Sequence, residues 1–219
     1  MVLPPHSELV GLLPSVLNGT LPGVEAHRTM APYPARVKPE MISVEGKDAR
    51  EAATLVLLYP YHGGKESALV LTVRQPELRD HSGQVSLPGG SRDGSETAEE
   101  TALREGWEEV GVPAEHPTVL GRLSPIHVPP GGFSVFPVVA SVDFAPPFQI
   151  QEAEVAELLE VPLSHLMDPA TRRTSSRKLG GSVFEAPYFA VDGHEVWGAT
   201  AMILAEFVAV LRSIPRVCA

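Results

Sequence analysis

Gly90–Val112 reads GSRDGSETAEETALREGWEEVGV, and this stretch decides the fold of the 219-residue chain. Thr97 is followed three residues later by Glu100, which is a capping-box signature, so we predict that a helix begins there. Gly111 is placed to end that helix, since glycine is the usual residue just beyond a helix C-terminus. The segment therefore predicts a loop, a helix and a second loop.

The predicted helix has an apolar side and a charged side. Spacing of three or four residues groups the apolar stripe that we expect in the core, formed by Leu103, Trp107 and Val110. The ladder Glu100–Arg104–Glu108 places opposite charges four residues apart, an arrangement that stabilises a helix. These features need only a structural explanation.

Three carboxylates, of which Glu108 also belongs to the ladder, lack such an explanation as a group. Glu105, Glu108 and Glu109 fall within about 100° of one another around the helix, away from the apolar stripe. Carboxylates so close together repel and raise one another's pKa unless a cation joins them. Mg²⁺ is commonly held by a few carboxylates together with waters and phosphates. Taken alone, such a cluster is more often a solvated acidic surface.

The residues around these carboxylates distinguish a metal site from a solvated acidic surface. In chain order they are Gly90, Glu96, the pair Arg104-Glu105, the pair Glu108-Glu109 and Gly111. Residue types and intervals resemble the Nudix box, a loop–helix–loop motif. The resemblance implies an α/β (α+β) fold, a Nudix-type α/β/α sandwich with a mixed β-sheet.

The same resemblance implies roles for the residues of the box. The implied ligands of Mg²⁺ or Mn²⁺ are Glu105, Glu108, Glu109 and a backbone carbonyl of Gly89 or Gly90. Glu96 and Arg104 are implied to be structural and to fix the loop against the helix. The chain departs from the pattern at Gly106, where the family usually has an aliphatic residue or alanine. Glycine inside a helix costs roughly 1 kcal/mol relative to alanine.

A second signature lies just before the box. It runs Leu71-Thr72-Val73-Arg74, four residues, Arg79, three residues, Gly83, three residues, Leu87-Pro88-Gly89-Gly90. This run resembles the signature of coenzyme A pyrophosphatases within the Nudix superfamily, with Leu87 where that signature usually has Phe. EVAELLEVPL at Glu154–Leu163 and VWGATAMIL at Val196–Leu204 are also similar to that subfamily, so the resemblance covers most of residues 45–210.

The second signature supplies the candidate substrate-binding residues, which are Arg74, Arg79, Gly83 and Gly90. Coenzyme A carries a pyrophosphate and a 3′-phosphate, and arginine can bind phosphate through two parallel hydrogen bonds. Arg74 and Arg79 are equally suited to pair with Asp80, Glu77 or the acidic helix, and the sequence leaves that choice open.

The resemblance implies hydrolysis of coenzyme A or acyl-coenzyme A to 3′,5′-ADP and (acyl-)4′-phosphopantetheine. The candidate catalytic residues are Glu105, Glu109 and Glu154. The general base stays open between Glu105 inside the box and Glu152 or Glu154 before a predicted strand.

Two alternatives remain. The first is a Nudix hydrolase acting on ADP-ribose, NADH or dinucleoside polyphosphates. The second is a non-catalytic nucleotide sensor. A sensor is expected to lose one or more carboxylates of the box, and all of them are present here.

Apolar runs predict the remaining elements. Ala53–Tyr59 and Ala68–Val73, separated by His62-Gly63-Gly64, predict a strand, a turn and a strand. The other predicted elements are strands at Thr118–Leu123, Ser134–Val142, Val155–Val161 and Val183–Phe189, and a closing helix at Ala199–Leu211. The polar, basic stretch Asp168–Gly181 predicts a mobile surface loop.

Residues 1–45 predict a proline-rich arm packed on a Nudix domain of residues 46–219. Within the arm, Ser7–Leu13 predicts a short helical turn that Pro14 ends or kinks, and the rest is expected to be extended.

Composition limits the partners and the compartment. The formal net charge of −10 argues against non-specific binding to nucleic acid, which needs clustered Lys and Arg. The single cysteine, Cys218, cannot form an internal disulfide, and no apolar run reaches the roughly 18 residues of a membrane span. We expect a cytoplasmic enzyme, monomeric or homodimeric, with a small nucleotide of the coenzyme A class as its partner.

Overall fold

A computed structural model describes residues 2–33, 39–77, 83–128, 132–179 and 182–214. Its α-helices are α1 (His6–Leu17), α2 (Gly23–Arg28), α3 (Pro39–Ile42), α4 (Ala98–Val110), α5 (Leu163–Met167) and α6 (Gly198–Ser213), with a 3-10 turn at Pro169–Thr171. Its strands are β1 (Arg50–Tyr61), β2 (Glu66–Arg74), β3 (Val85–Ser86), β4 (Gly89–Ser91), β5 (Thr118–Arg122), β6 (Ile126–Val128), β7 (Phe133–Ser141), β8 (Val155–Pro162), β9 (Arg172–Leu179), β10 (Ser182–Val191) and β11 (His194–Trp197).

The larger sheet is mixed. Its central order is β3-β2-β1-β7-β5, with β4 beside β1, β6 beside β7 and β8 beside β2. β1 and β7 run parallel, whereas the other pairs are antiparallel. A second, three-stranded antiparallel sheet has the order β11-β10-β9.

Both faces of the larger sheet are buried, and β1 shows why. Successive side chains of a strand point to opposite faces. Leu55 and Leu57 belong to a core cluster with Ala102 of α4, whereas Val56 and Leu58 belong to a second cluster that includes residues of α1 and α6. Helices therefore cover both faces of a mixed sheet, which confirms the predicted α/β/α sandwich.

The strongly patterned elements lie where the sequence predicts them. β1 and β2 form the predicted hairpin, with Leu58 opposite Leu69, and its turn has positive φ at His62, Gly63 and Gly64. The four other predicted strands correspond to β5, β7, β8 and β10, and the predicted closing helix is α6.

The prediction for the N-terminal segment is wrong in two respects. α1 continues through Pro14 to Leu17, and α2 and α3 interrupt the stretch expected to be extended. A proline inside a helix costs about 3 kcal/mol. The face formed by Leu9, Leu13 and Leu17 is almost completely buried, and each buried leucine contributes about 1.5–3 kcal/mol. Burial of three leucines therefore offsets the proline.

α2 is tied to the rest of the fold through a buried carboxylate. Glu206 of α6 is fully buried and accepts hydrogen bonds from the backbone N–H groups of Gly23 (2.9 Å) and Ser124 (3.0 Å). Its Oε2 also lies 2.9 Å from Nε2 of His27, which is fully buried as well. Because two of these three partners belong to α2 and the third follows β5, this one side chain joins α2, α6 and the chain after β5.

The prediction of a mobile surface loop at Asp168–Gly181 is also wrong. Residues 172–179 form β9, which pairs with β10 over eight residues, while Gly180 and Gly181 lie outside the described residues. Two of its arginines lie over aromatic rings, Arg172 at 5.1 Å from Phe189 and Arg177 at 4.2 Å from Trp197. Polar and charged residues are usual on a strand at the edge of a sheet, so composition alone resembled a loop.

None of the helices that the structure describes has the length and apolar character needed to cross a membrane.

Candidate active site

α4 begins and ends as its sequence predicts. The Glu100 N–H donates to Thr97 Oγ1 at 3.2 Å, and the Thr97 N–H donates to Glu100 Oε2 at 2.7 Å, so both bonds of the capping box are present. Gly111 ends the helix with φ of 75°. Because Glu100 is engaged at the cap, the predicted ladder is formed only in its second half, between Arg104 and Glu108 at 3.2 Å.

The buried face of α4 differs from the predicted stripe. Ala102 and Val110 are fully buried, but Trp107 is 57% exposed, so the prediction that Trp107 lies in the core is wrong. Gly106 is buried instead, and a Cβ atom there would lie 2.5 Å from Cδ2 of Leu55. The missing side chain at this unusual position lets α4 approach β1 closely.

Arg104 fixes the loop before α4 to the helix. Its Nε donates to Glu96 Oε1 at 2.9 Å, and a terminal nitrogen donates to the Ser91 carbonyl at 3.1 Å. Hydrogen bonds from Arg104 lower the pKa of Glu96 to about 2. The other terminal nitrogen of Arg104 donates to Glu105 Oε1 at 2.8 Å. The guanidinium of Arg104 therefore joins the loop to Glu105 and Glu108 of the helix.

The glycine pair of β4 allows the loop to pass directly against β1 and α4. A Cβ atom at Gly89 would lie 2.4 Å from the Ala53 carbonyl oxygen, and one at Gly90 would lie 2.4 Å from Glu105 Oε1. Real Cβ atoms do not approach other atoms so closely. Gly90 therefore leaves room for the carboxylate of Glu105 immediately beside the backbone.

Glu109 is the most buried carboxylate of the cluster. It is only 6% exposed, and burial, reinforced by Glu105 and Glu154, raises its pKa to about 8 despite Arg74 and a backbone hydrogen bond from Gly89. Burial also raises the pKa of Glu105, while its bond to Arg104 acts in the opposite direction. The site thus holds carboxylates whose charge the protein compensates only in part.

A cleft beside α4 brings together residues from three of the sequence segments. Its lining consists of Thr72, Arg74, Ser86, Glu109, Glu154 and Val155. Arg74, Glu109 and Glu154 are among the candidate residues predicted from sequence, and Glu105 interacts electrostatically with Glu109 and Glu154. The guanidinium of Arg74 and the carboxylates of Glu109 and Glu154 therefore line the same small cleft.

Other predicted residues lie around this cleft or outside the described chain. The Glu108 side chain is 54% exposed and bonds Arg104. Gly83 has φ of 65° in the turn between β2 and β3, and its N–H donates to the Arg74 carbonyl at 3.1 Å. Arg79 lies outside the described residues.

Within the described ranges, no three Asp, Glu, His or Cys side chains are arranged as a ready-made metal site. The geometry accounts for this, because Arg104 holds Glu105 and Glu108 while Glu109 lies deeper against β2. The donor set is nevertheless one of hard oxygens with incompletely compensated charge, which is the chemistry that Mg²⁺ and Mn²⁺ favour.

Sequence reasoning missed two hydroxyl groups of the cleft, those of Thr72 and Ser86. The available signal was the two-residue period of a strand, which puts Thr72 on the same face as Arg74.

A mixed sheet between helices, a glycine loop and a carboxylate-bearing helix beside one cleft define the Nudix class of pyrophosphohydrolase. Residues 49–179 match the family model described as NUDIX domain. The chain belongs to the Nudix hydrolase family, whose members generally use divalent metal ions to cleave small nucleotide substrates.

Relatives and solved structures agree with this assignment. The chain is 35% identical over 156 residues to a protein from Photorhabdus laumondii named Uncharacterized Nudix hydrolase NudL, covering 71% of this chain and 81% of that protein. A NudL protein from Yersinia enterocolitica is 37% identical over 149 residues, 68% of this chain and 76% of the relative. The crystal structure of RenU, a Nudix hydrolase from M. smegmatis, has the same fold, with a TM-score of 0.54 and 24% identity over 78% of this chain and 91% of RenU.

Proposed function

We propose that this enzyme hydrolyses the pyrophosphate bond of coenzyme A or acyl-coenzyme A, giving 3′,5′-ADP and (acyl-)4′-phosphopantetheine. The observation that carries the proposal is the cleft in which Arg74, from the coenzyme A-type signature, lines the same space as Glu109 of the Nudix box. A guanidinium beside incompletely compensated carboxylates suits a phosphate that arrives with a divalent cation.

The proposed cation ligands are Glu105, Glu108, Glu109 and a backbone carbonyl of Gly89 or Gly90, and the proposed cation is Mg²⁺ or Mn²⁺. The fit is supported by the raised pKa of buried Glu109 and by the space that Gly90 leaves for the Glu105 carboxylate, where a Cβ atom would lie 2.4 Å from Oε1. When bound, such a cation supplies polarisation of phosphate oxygens and activation of a water molecule.

The chain's own groups define the rest of the reaction. Water attacks one phosphorus of the pyrophosphate, the bond from that phosphorus to the bridging oxygen breaks, and the bridging oxygen leaves with the other phosphorus. Each product thus keeps one phosphate of the pyrophosphate, and 3′,5′-ADP also keeps the 3′-phosphate. We propose Glu154 as the group that accepts the water proton, because it lines the cleft and interacts with both Glu105 and Glu109. Arg74 is proposed to bind the phosphate oxygens, and Glu96 with Arg104 to hold the glycine loop in place.

The substrate proposal is tested by chromatography of products. Purified protein is incubated with Mg²⁺ or Mn²⁺ and, separately, with coenzyme A, acetyl-coenzyme A, ADP-ribose, NADH and a diadenosine polyphosphate. We expect 3′,5′-ADP from coenzyme A or its acetyl ester at a kcat/KM well above that for the other compounds. Dominant release of AMP from ADP-ribose or NADH would retain the pyrophosphohydrolase and overturn its assignment to coenzyme A.

A further inference from the structure

Thr72 of β2 is a buried polar residue between two apolar neighbours, and the reaction outlined above gives it no role. It is 2% exposed, and its neighbours along the strand, Leu71 and Val73, are buried hydrophobic residues. Burying a hydroxyl group is costly unless it forms hydrogen bonds. The partners of Thr72 are therefore informative.

The Thr72 hydroxyl lies between the buried carboxylate of Glu109 and the short strand β3. Oγ1 of Thr72 is 3.4 Å from Oε2 of Glu109, 3.2 Å from Oγ of Ser86 and 3.5 Å from the Ser86 carbonyl oxygen. A hydroxyl has one hydrogen to donate, whereas an ionised carboxylate can only accept. When Thr72 donates to Glu109, the Ser86 hydroxyl must donate to Thr72, so the three groups form a directional chain.

β3 is also bound by α6. Thr72 and Ser86 are directly opposite each other in the β2–β3 pairing, and Thr200, in the first turn of α6, donates its hydroxyl to the Val85 carbonyl at 3.2 Å. The chain of hydroxyl groups is thus anchored at β3, which α6 supports. This arrangement places a hydroxyl group, bonded to β3, beside the carboxylate of Glu109.

We propose that Thr72 is a positioning residue for Glu109: its hydroxyl, oriented by Ser86, fixes the carboxylate in the direction needed to bind the divalent cation. The inference rests on the proposed cation site and is independent of which nucleotide is cleaved. Hydrogen-bonding partners behind metal ligands typically change metal affinity or activity by about 10- to 100-fold when removed.

The test compares Thr72→Val, which keeps the shape and removes the hydroxyl, with Thr72→Ser, which keeps the hydroxyl and removes a methyl group. Binding of Mn²⁺ alone is measured from the electron paramagnetic resonance signal of free Mn²⁺, and thermal unfolding is recorded for each metal-free protein. Coenzyme A hydrolysis gives kcat and KM as a second readout. Ser86→Ala provides an independent variant if Thr72→Val does not fold.

We expect Thr72→Val to weaken Mn²⁺ binding by about tenfold and to lower kcat more than it raises KM, with Thr72→Ser close to the unaltered enzyme. Ser86→Ala should lie between them. Equal Mn²⁺ affinity in Thr72→Val and the unaltered protein would overturn the proposal, as would equal losses in the Val and Ser variants, which indicate a packing role. Mn²⁺ binding that follows this order without cleavage of coenzyme A would support the Thr72 proposal and reject the substrate.

Discussion

At the scale of single residues, the central feature is a carboxylate in a place that disfavours its charge. Glu109 is buried beside Glu105 and Glu154, and its pKa is raised to about 8. The folded state therefore binds this proton more tightly than the unfolded chain does. By linkage, the metal-free protein loses stability as pH rises from about 4.5 to about 8.

This predicts that Glu109→Gln stabilises the metal-free enzyme at alkaline pH. In EDTA at pH 8.5, we expect the variant to gain at least about 1 kcal/mol in free energy of unfolding, because one pKa unit corresponds to about 1.4 kcal/mol. At pH 4.5 the gain should vanish. Urea unfolding at both pH values measures it, and a variant that is less stable than the unaltered enzyme at pH 8.5 would contradict the electrostatic account.

Arg74 is the positively charged side chain that lines the same cleft. We expect Arg74→Lys and Arg74→Ala to raise KM for coenzyme A and to lower kcat/KM by about 10- to 100-fold, since a hydrogen bond to a charged group contributes about 1.5–3 kcal/mol. Lysine should not restore binding, because it lacks the planar pair of donors. Steady-state kinetics measures the change.

Arg122→Ala is the matched control, because Arg122 pairs with Glu99 near the start of α4 and does not line the cleft. Equal effects of the Arg74 and Arg122 substitutions on KM would indicate a general charge effect and remove Arg74 from the site.

At the scale of elements, the position of α4 over β1 depends on a glycine. A helix gains about 1 kcal/mol when an interior glycine becomes alanine, whereas overpacking a core costs about 1–3 kcal/mol. At Gly106 the added methyl would meet Leu55, which is 1% exposed and has little room to move. Packing therefore outweighs helix propensity here.

We therefore predict that the effect of Gly106→Ala on the free energy of unfolding changes sign when Leu55 is replaced by alanine. Gly106→Ala should destabilise the otherwise unaltered protein by about 1 kcal/mol, and should stabilise a Leu55→Ala background by up to about 1 kcal/mol. A double-mutant cycle from urea unfolding measures both effects. If alanine stabilises both backgrounds equally, the close approach of α4 to β1 is not the reason for the glycine.

Elements with strong patterns were predictable from sequence, and elements defined by tertiary contacts were not. The hairpin of β1 and β2 follows from two apolar runs and a glycine turn, and α4 follows from its capping box. β9 was predicted as a loop because its residues are polar, and only its pairing with β10 and the ring contacts of its arginines identify it as a strand.

The residues of the site also divide into those predicted from sequence and those identified only by tertiary contacts. The box supplied Glu109, the signature before it supplied Arg74, and the acidic stretch before a predicted strand supplied Glu154; all three line one cleft. Thr72 and Ser86 were missed because the two-residue period of β2 shows only that Thr72 shares a face with Arg74. The proximity of the Thr72 hydroxyl to Glu109 appears only in the structure. Trp107 was misassigned because helical spacing does not say which part of the helix faces the sheet, and close packing at Gly106 turns the tryptophan outward.

At the scale of the whole molecule, segments far apart in sequence meet at one cleft. β2 contributes Thr72 and Arg74, α4 contributes Glu109, and the residues just before β8 contribute Glu154. α6 supports the site from outside through the bond from Thr200 to β3. The sandwich therefore brings the guanidinium of Arg74 and the carboxylates of Glu109 and Glu154 to one cleft.

The proposal that Glu109 binds a divalent cation for the hydrolysis of coenzyme A can be tested directly. The measurement is the rate of 3′,5′-ADP release from coenzyme A by the unaltered enzyme and by Glu109→Gln, each with Mg²⁺ and with EDTA. We predict release only by the unaltered enzyme with Mg²⁺, and a loss of at least about 100-fold in the variant, since it removes a proposed ligand rather than a group behind one. A Glu109→Gln enzyme that keeps full turnover, or an unaltered enzyme that releases 3′,5′-ADP equally well in EDTA, would contradict the account.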